Sequence, residues 1–108
     1  MCFLGVDIGG TSVRSLVTDA GGKILGYQRI ARVSHESLWQ AINDCLGTVL
    51  AQSSVVHVEA AVVGAAGAGP TGNHDVCQSV EKAFRAVGLD VTPQVAVSYT
   101  HLTLPTIL

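Results

Sequence analysis

The feature that most constrains this chain is a pair of glycines set between two apolar runs. Phe3-Leu4-Gly5-Val6-Asp7-Ile8 leads into Gly9-Gly10, and Thr11-Ser12-Val13-Arg14 leads out again toward Leu16-Val17. Apolar stretches on either side of two glycines read as a strand, a tight turn and a returning strand. Lacking Cβ atoms, Gly9 and Gly10 are expected to reach positive φ and to present bare backbone N–H groups to an anion, as a phosphate cradle requires. Asp7 falls at the end of the first strand, where a carboxylate can face a metal ion bridging phosphates, directly or through water. Thr11 adds a hydroxyl. The same residues also satisfy an ordinary hairpin whose turn needs only Gly-Gly.

The pattern continues past the first turn. Val13, Leu16 and Val17 carry an apolar run to Thr18, Asp19-Ala20-Gly21-Gly22 makes a second turn, and Lys23 to Ile30 reads as a third strand, giving a meander. Arg32 to Glu36 breaks the strand pattern and offers Ser34 as a helix N-cap. Leu38, Ile42, Cys45, Leu46 and Val49 then recur at helical spacing to about Gln52, with Trp39 at the edge of the apolar face. Gly47 inside that helix is expected to mark a close approach to the sheet. From Val55, with its apolar centre at Val58 to Ala66, a run of small and branched residues reads as a strand parallel to the first and buried on both faces. Its glycine-rich end, Gly64 to Pro70 and including Gly67, would sit at the carboxyl edge of the sheet, where ligands bind in open α/β folds. Thr71 or Asn73 can cap a second helix with Val76, Val80, Ala83, Phe84 and Val87 on one face, closed by Gly88. Val91 to Val97 is the last expected strand, so the order is three strands, helix, strand, helix, strand.

Composition matters for what it excludes. The 108 residues carry only 13% charged side chains against 48% hydrophobic ones, which suggests that some surface expects cover. A net charge of -2 offers no basic patch for nucleic acid or an anionic membrane. No apolar run reaches a spanning length and no leader pattern opens the chain, so the expected location is cytoplasmic. Cys2, Cys45 and Cys77 form no metal or disulfide pattern, and Cys45 and Cys77 fall on apolar helix faces. His57, His74 and His101 show no metal spacing either.

Val6-Asp7-Ile8-Gly9-Gly10-Thr11, followed by Asp19-Ala20-Gly21-Gly22-Lys23-Ile24-Leu25, resembles the opening of the actin-like ATPase and sugar kinase superfamily. The order implies part of a ribonuclease H-like α/β lobe over residues 1–97. The small-residue strand end followed by a helix ending in Gly-Leu is similar to the BadF/BadG/BcrA/BcrD-type ATPase family, which includes N-acetylglucosamine kinase. The resemblance implies that Asp7, Gly9, Gly10, Thr11 and Ser12 hold ATP, with Asp7 also facing Mg²⁺, directly or through water. Ile8 and Ser12 depart from the nearest pattern, where Gly and a basic residue are usual, and Arg14 is the candidate substitute for the lost cation. Relatives that bind sugars place an Asn-His pair before the first helix, so Ser34 and His35 are candidate substrate contacts, as is Gly67. The implied reaction is transfer of the γ-phosphoryl group from MgATP to a hydroxyl of a small-molecule sugar, with room for a homodimer of the full-length protein. Alternatives implied by the same superfamily are an activator ATPase of a 2-hydroxyacyl-CoA dehydratase and a kinase or regulator of the glucokinase and repressor-kinase group.

The catalytic Asp that the resemblance places after the last strand has no counterpart here, since no Asp or Glu follows Asp90. Val97-Ser98-Tyr99-Thr100-His101-Leu102 instead resembles a translated sequencing-library adaptor. The expectation is a non-native tail over residues 98–108 and a chain that does not turn over by itself.

Overall fold

The computed structural model describes residues 1–32, 37–55, 57–66 and 69–98. The elements are β1 (Cys2–Ile8), β2 (Ser12–Asp19), β3 (Ile24–Ala31), α1 (Leu38–Ser53), β4 (Ala60–Ala66), α2 (Gly69–Ala86) and β5 (Gln94–Ser98). They form one sheet in the order β3-β2-β1-β4-β5. The meander is antiparallel, and β4 joins β1 in parallel with β5 beyond it. The expected order of elements and the α/β class therefore hold.

Turn chemistry explains the meander. Asp19 Oδ1 accepts the N–H groups of Gly21 and Lys23, both at 2.9 Å, and Gly22 takes a φ of 87° that a residue with a Cβ rarely adopts. Just past this turn Leu25 stands without a partner in the β2–β3 ladder: Ile24 pairs with Thr18 and Gly26 with Val17. That bulge shifts the register of the rest of β3 by one residue.

The core lies on one side of the sheet. Leu4, Val6 and Ile8 of β1, Val13 and Val17 of β2 and Ala61, Val63 and Ala65 of β4 pack with Ile42, Leu46 and Val49 of α1 and Val80, Ala83 and Phe84 of α2. The period of two along each strand and of 3.6 along each helix supplies these faces. Both helices cover the same side and touch each other, and Lys82 Nζ sits 4.1 Å from the ring centroid of Trp39 across their contact. The opposite side of the sheet is open, with Val62 55% exposed and Tyr27 48% exposed. This corrects the expectation that β4 is buried on both faces: among the described residues no helix covers its second face.

Four boundaries also differ from expectation. The cap of α1 is Ser37, whose N–H and Oγ reach Gln40 Oε1 at 3.4 and 2.9 Å, while Ser34 lies outside the described residues. Helix α2 begins at Gly69, so Thr71 and Asn73 lie within it. Pro70 in the first turn fits because its missing N–H would have no helical acceptor there. Strand β4 starts at Ala60 and β5 at Gln94, just after Pro93. Gly88 closes α2 as expected, at φ 81°, with its N–H on Arg85 O and that of Leu89 on Phe84 O.

Gly47 makes no close approach: it is exposed, and a Cβ there would meet nothing within 4 Å. The close approach belongs to Gly26, where a Cβ would meet Ser53 Cβ at 3.1 Å and Val49 Cγ2 and O at 3.2 Å. Strand β3 and helix α1 touch at that glycine, and Gln52 Oε1 accepts the N–H of Tyr27 beside it at 3.2 Å.

One polar knot sits inside the core. Ser15 Oγ lies 3.0 Å from Cys45 Sγ and 3.3 Å from Cys45 O, and Cys45 Sγ also approaches Val13 O and Gln28 O. Burial pushes the Cys45 thiol above its ordinary 9.0, against a smaller opposing effect of the Ser15 hydrogen bond. Because the folded value is raised, the contribution to stability is whole below the unfolded thiol's value and declines as pH rises past it. Denaturant midpoints at about pH 8 and about pH 10 should show a loss of up to about 1 kcal/mol that the Cys45→Ala variant lacks. An equal loss in both proteins would refute it.

Candidate functional site

The first turn is built by backbone hydrogen bonds. Gly9 N–H donates to Ser12 O at 2.8 Å, closing the loop between β1 and β2, and Arg32 N–H donates to Thr11 O at 2.8 Å, extending the ladder of β3 to the loop. Gly10 and Thr11 are exposed, Gly9 is half-buried and Ser12 is 6% exposed. Neither Gly9 nor Gly10 has a positive φ, which corrects the conformational reason expected for them. What they contribute is space: a Cβ on Gly10 would meet nothing within 4 Å, so the surface above it is bare main chain, while a Cβ on Gly9 would come within 3.3 Å of Ser12 O. Bare main chain of this kind lets an anion approach the amides.

The loop sits at the carboxyl edge of the parallel strands. Ile8 pairs with Ala65 near the end of β4, so the loop lies beside the end of that strand, with β5 beyond it and α2 beginning at Gly69 just after β4 ends at Ala66. A helix start beside such an edge adds partial positive charge.

Asp7 stands on the open face between Arg14 of β2 and Gly64 of β4. Its Oδ2 is 3.6 Å from Arg14 Nε, with the two side chains 62% and 53% exposed. A pair this exposed contributes little and gives way readily to a stronger partner such as a divalent ion. The carboxylate thus fits the metal-facing role, and Arg14 stands one strand away from it. A second cation was not anticipated. Arg32, half-buried at the end of β3, donates from Nη1 to Gly9 O at 3.1 Å. Its place follows from the bulge at Leu25, since without that extra residue Ala31 would stand opposite Thr11. Nothing in the local pattern of β3 announces such a shift.

The structure brings together Asp7, Gly9, Gly10, Thr11 and Ser12. The substrate candidates Ser34, His35 and Gly67 lie outside the described residues, as does the chain from 99 onward. Among the described residues no group of three or more His, Cys, Asp or Glu side chains gathers as a metal cluster, and no helix is long and apolar enough to cross a membrane.

No family model matches the chain, and no curated protein matches it in sequence. Solved structures do share its fold. A ROK hexokinase from Thermus thermophilus is 19% identical over 90% of this chain, with a TM-score of 0.67. A protein named as a candidate N-acetylglucosamine kinase from Porphyromonas gingivalis is 15% identical over 90%, with a TM-score of 0.58. The activator of 2-hydroxyisocaproyl-CoA dehydratase from Clostridium difficile, with bound ADPNP, is 18% identical over 60%, with a TM-score of 0.53. The chain spans 34%, 34% and 24% of those three chains respectively. At these identities the likeness is one of fold alone, over part of each of those chains.

Proposed function

We propose that this chain is part of an ATP-dependent amino-sugar kinase and that its first loop holds the nucleotide's phosphates. The observation that carries the reading is the bare main chain at Gly10, just past the carboxyl end of β1 and three residues beyond an exposed carboxylate. The neighbours support it, since two are named as sugar kinases and one holds ADPNP. MgATP would supply the phosphoryl group. The amides of Gly10 and Thr11 and the Thr11 hydroxyl would orient the phosphates, the Gly9 N–H being held by Ser12 O, and Asp7 would hold Mg²⁺, directly or through water, once Arg14 releases it. Electrostatics and positioning of this kind carry most of phosphoryl transfer.

The substrate half of the proposal is an amino sugar, N-acetylglucosamine, with Ser34, His35 and Gly67 as its candidate contacts. The higher TM-score of the hexokinase favours a second reading, a hexose kinase of the glucokinase and repressor-kinase group. Residues 1–97 are proposed as the native lobe portion and 98–108 as a non-native tail. With no carboxylate after Asp90 to take the sugar hydroxyl's proton, the chain itself is proposed to bind without turning over.

Titration with MgATP, followed through the amide resonances of Gly9, Gly10 and Thr11, tests the nucleotide half. Saturable shifts in those residues support it, and their absence at millimolar nucleotide sinks it. The substrate half is decided on the uninterrupted gene: faster phosphorylation of N-acetylglucosamine than of glucose supports the first reading, and the reverse supports the second.

A further inference from the structure

The loop is held from outside as well as from within. Arg32 binds it twice, by its main-chain N–H to Thr11 O at 2.8 Å and by Nη1 to Gly9 O at 3.1 Å, so one residue spans both shoulders of the exposed Gly10. A guanidinium carries five N–H donors in a rigid plane, and among the described residues only Nη1 has an acceptor. Arg14, the other cation near the loop, is turned to Asp7 instead. Drawing the Gly9 carbonyl onto Arg32 keeps that oxygen's negative end away from an incoming anion while bringing a fixed positive charge beside the loop.

We infer that Arg32 is the positioning residue of the loop, clamping its backbone through Gly9 O and offering its remaining donors to the terminal phosphates of a nucleoside triphosphate. This rests on the loop being the nucleotide site. A lysine would keep the charge but has no planar fork to hold a carbonyl and a phosphate together. A glutamine would lose the charge.

The test titrates the whole chain and its Arg32→Gln and Arg32→Lys variants with MgATP and with magnesium tripolyphosphate, at low and at moderate salt. Each variant should bind both ligands about tenfold or more weakly. In Arg32→Gln the salt dependence of binding should also flatten, which lost packing alone would not produce. Arg32→Lys should keep the salt dependence while the Gly9 and Thr11 amide resonances move in the free protein. Wild-type binding that persists unchanged in both folded variants would overturn the role of Arg32 and leave the nucleotide reading standing. Failure of the unaltered chain to bind either ligand would overturn both. Weaker binding with the same salt slope in Arg32→Gln would show a structural part only and would also overturn the inference.

Discussion

Gly10→Leu is expected to weaken MgATP binding about a hundredfold or more while moving the melting temperature by no more than about 3 °C. The two halves of this expectation come from the same geometry. In the free loop a Cβ at Gly10 meets nothing, and its φ is one that leucine adopts, so the fold has no reason to object. An exposed substitution without strain usually stays within about 0.5 kcal/mol, which is a few degrees for a domain of this size. A phosphate, however, must come to within hydrogen-bond distance of the amides, and the leucine side chain fills that approach. Losing two charge-assisted hydrogen bonds at about 1.5 kcal/mol or more each gives the hundredfold figure. Calorimetric titration beside a thermal melt decides it. Undiminished affinity in a folded Gly10→Leu protein would mean that the nucleotide, if bound, sits elsewhere.

The second large effect is on stability. Gly26→Ala is expected to destabilise the chain by about 2 kcal/mol and Gly26→Val by about 3 kcal/mol, as overpacking does in a close-packed core. The first added carbon would meet Ser53 Cβ and both the side chain and carbonyl of Val49 at 3.1–3.2 Å. A carbonyl in a helix cannot move aside as a flexible side chain can. The contrast is Gly47, exposed and with open space around it, where alanine should stabilise by up to about 1 kcal/mol through helix propensity. Urea unfolding of the three variants checks the pair. If Gly26→Ala matches the unaltered chain, β3 and α1 do not touch as described.

These two glycines show what could be read in advance. The order of elements was legible because it depends on local signals: alternation in β2, Asp19 to Gly22 as turn chemistry, the 3.6-residue spacing of Ile42, Cys45, Leu46 and Val49, and Gly88 behind Val87. The loop on which the proposal rests was legible because a glycine pair beside a carboxylate is a short, local pattern. What was not legible depends on register and on faces. Gly47 looked like the contact glycine because it interrupts a helix, whereas Gly26 sits in a strand where its meaning depends on which side faces α1. The bulge at Leu25 changes that phase and brings Arg32 to the loop, and an extra residue in a strand leaves the apolar pattern almost unaltered. The open face of the sheet was missed because the run Ala60 to Ala66 is apolar at every position, and only the packing of both helices on one side leaves Val62 outside.

The central strand also divides near pairings from distant ones along the chain. Its edge toward β2 closes over a few residues, the kind of event that takes about 1–10 μs, whereas its edge toward β4 must wait for a partner more than fifty positions away along the chain. Every described bond that shapes the loop joins residues from the early side, Gly9 to Ser12 and Arg32 to Gly9 and Thr11. The first 32 residues thus carry every hydrogen-bonding partner described for the loop, and the later α/β half adds the parallel strand beside it.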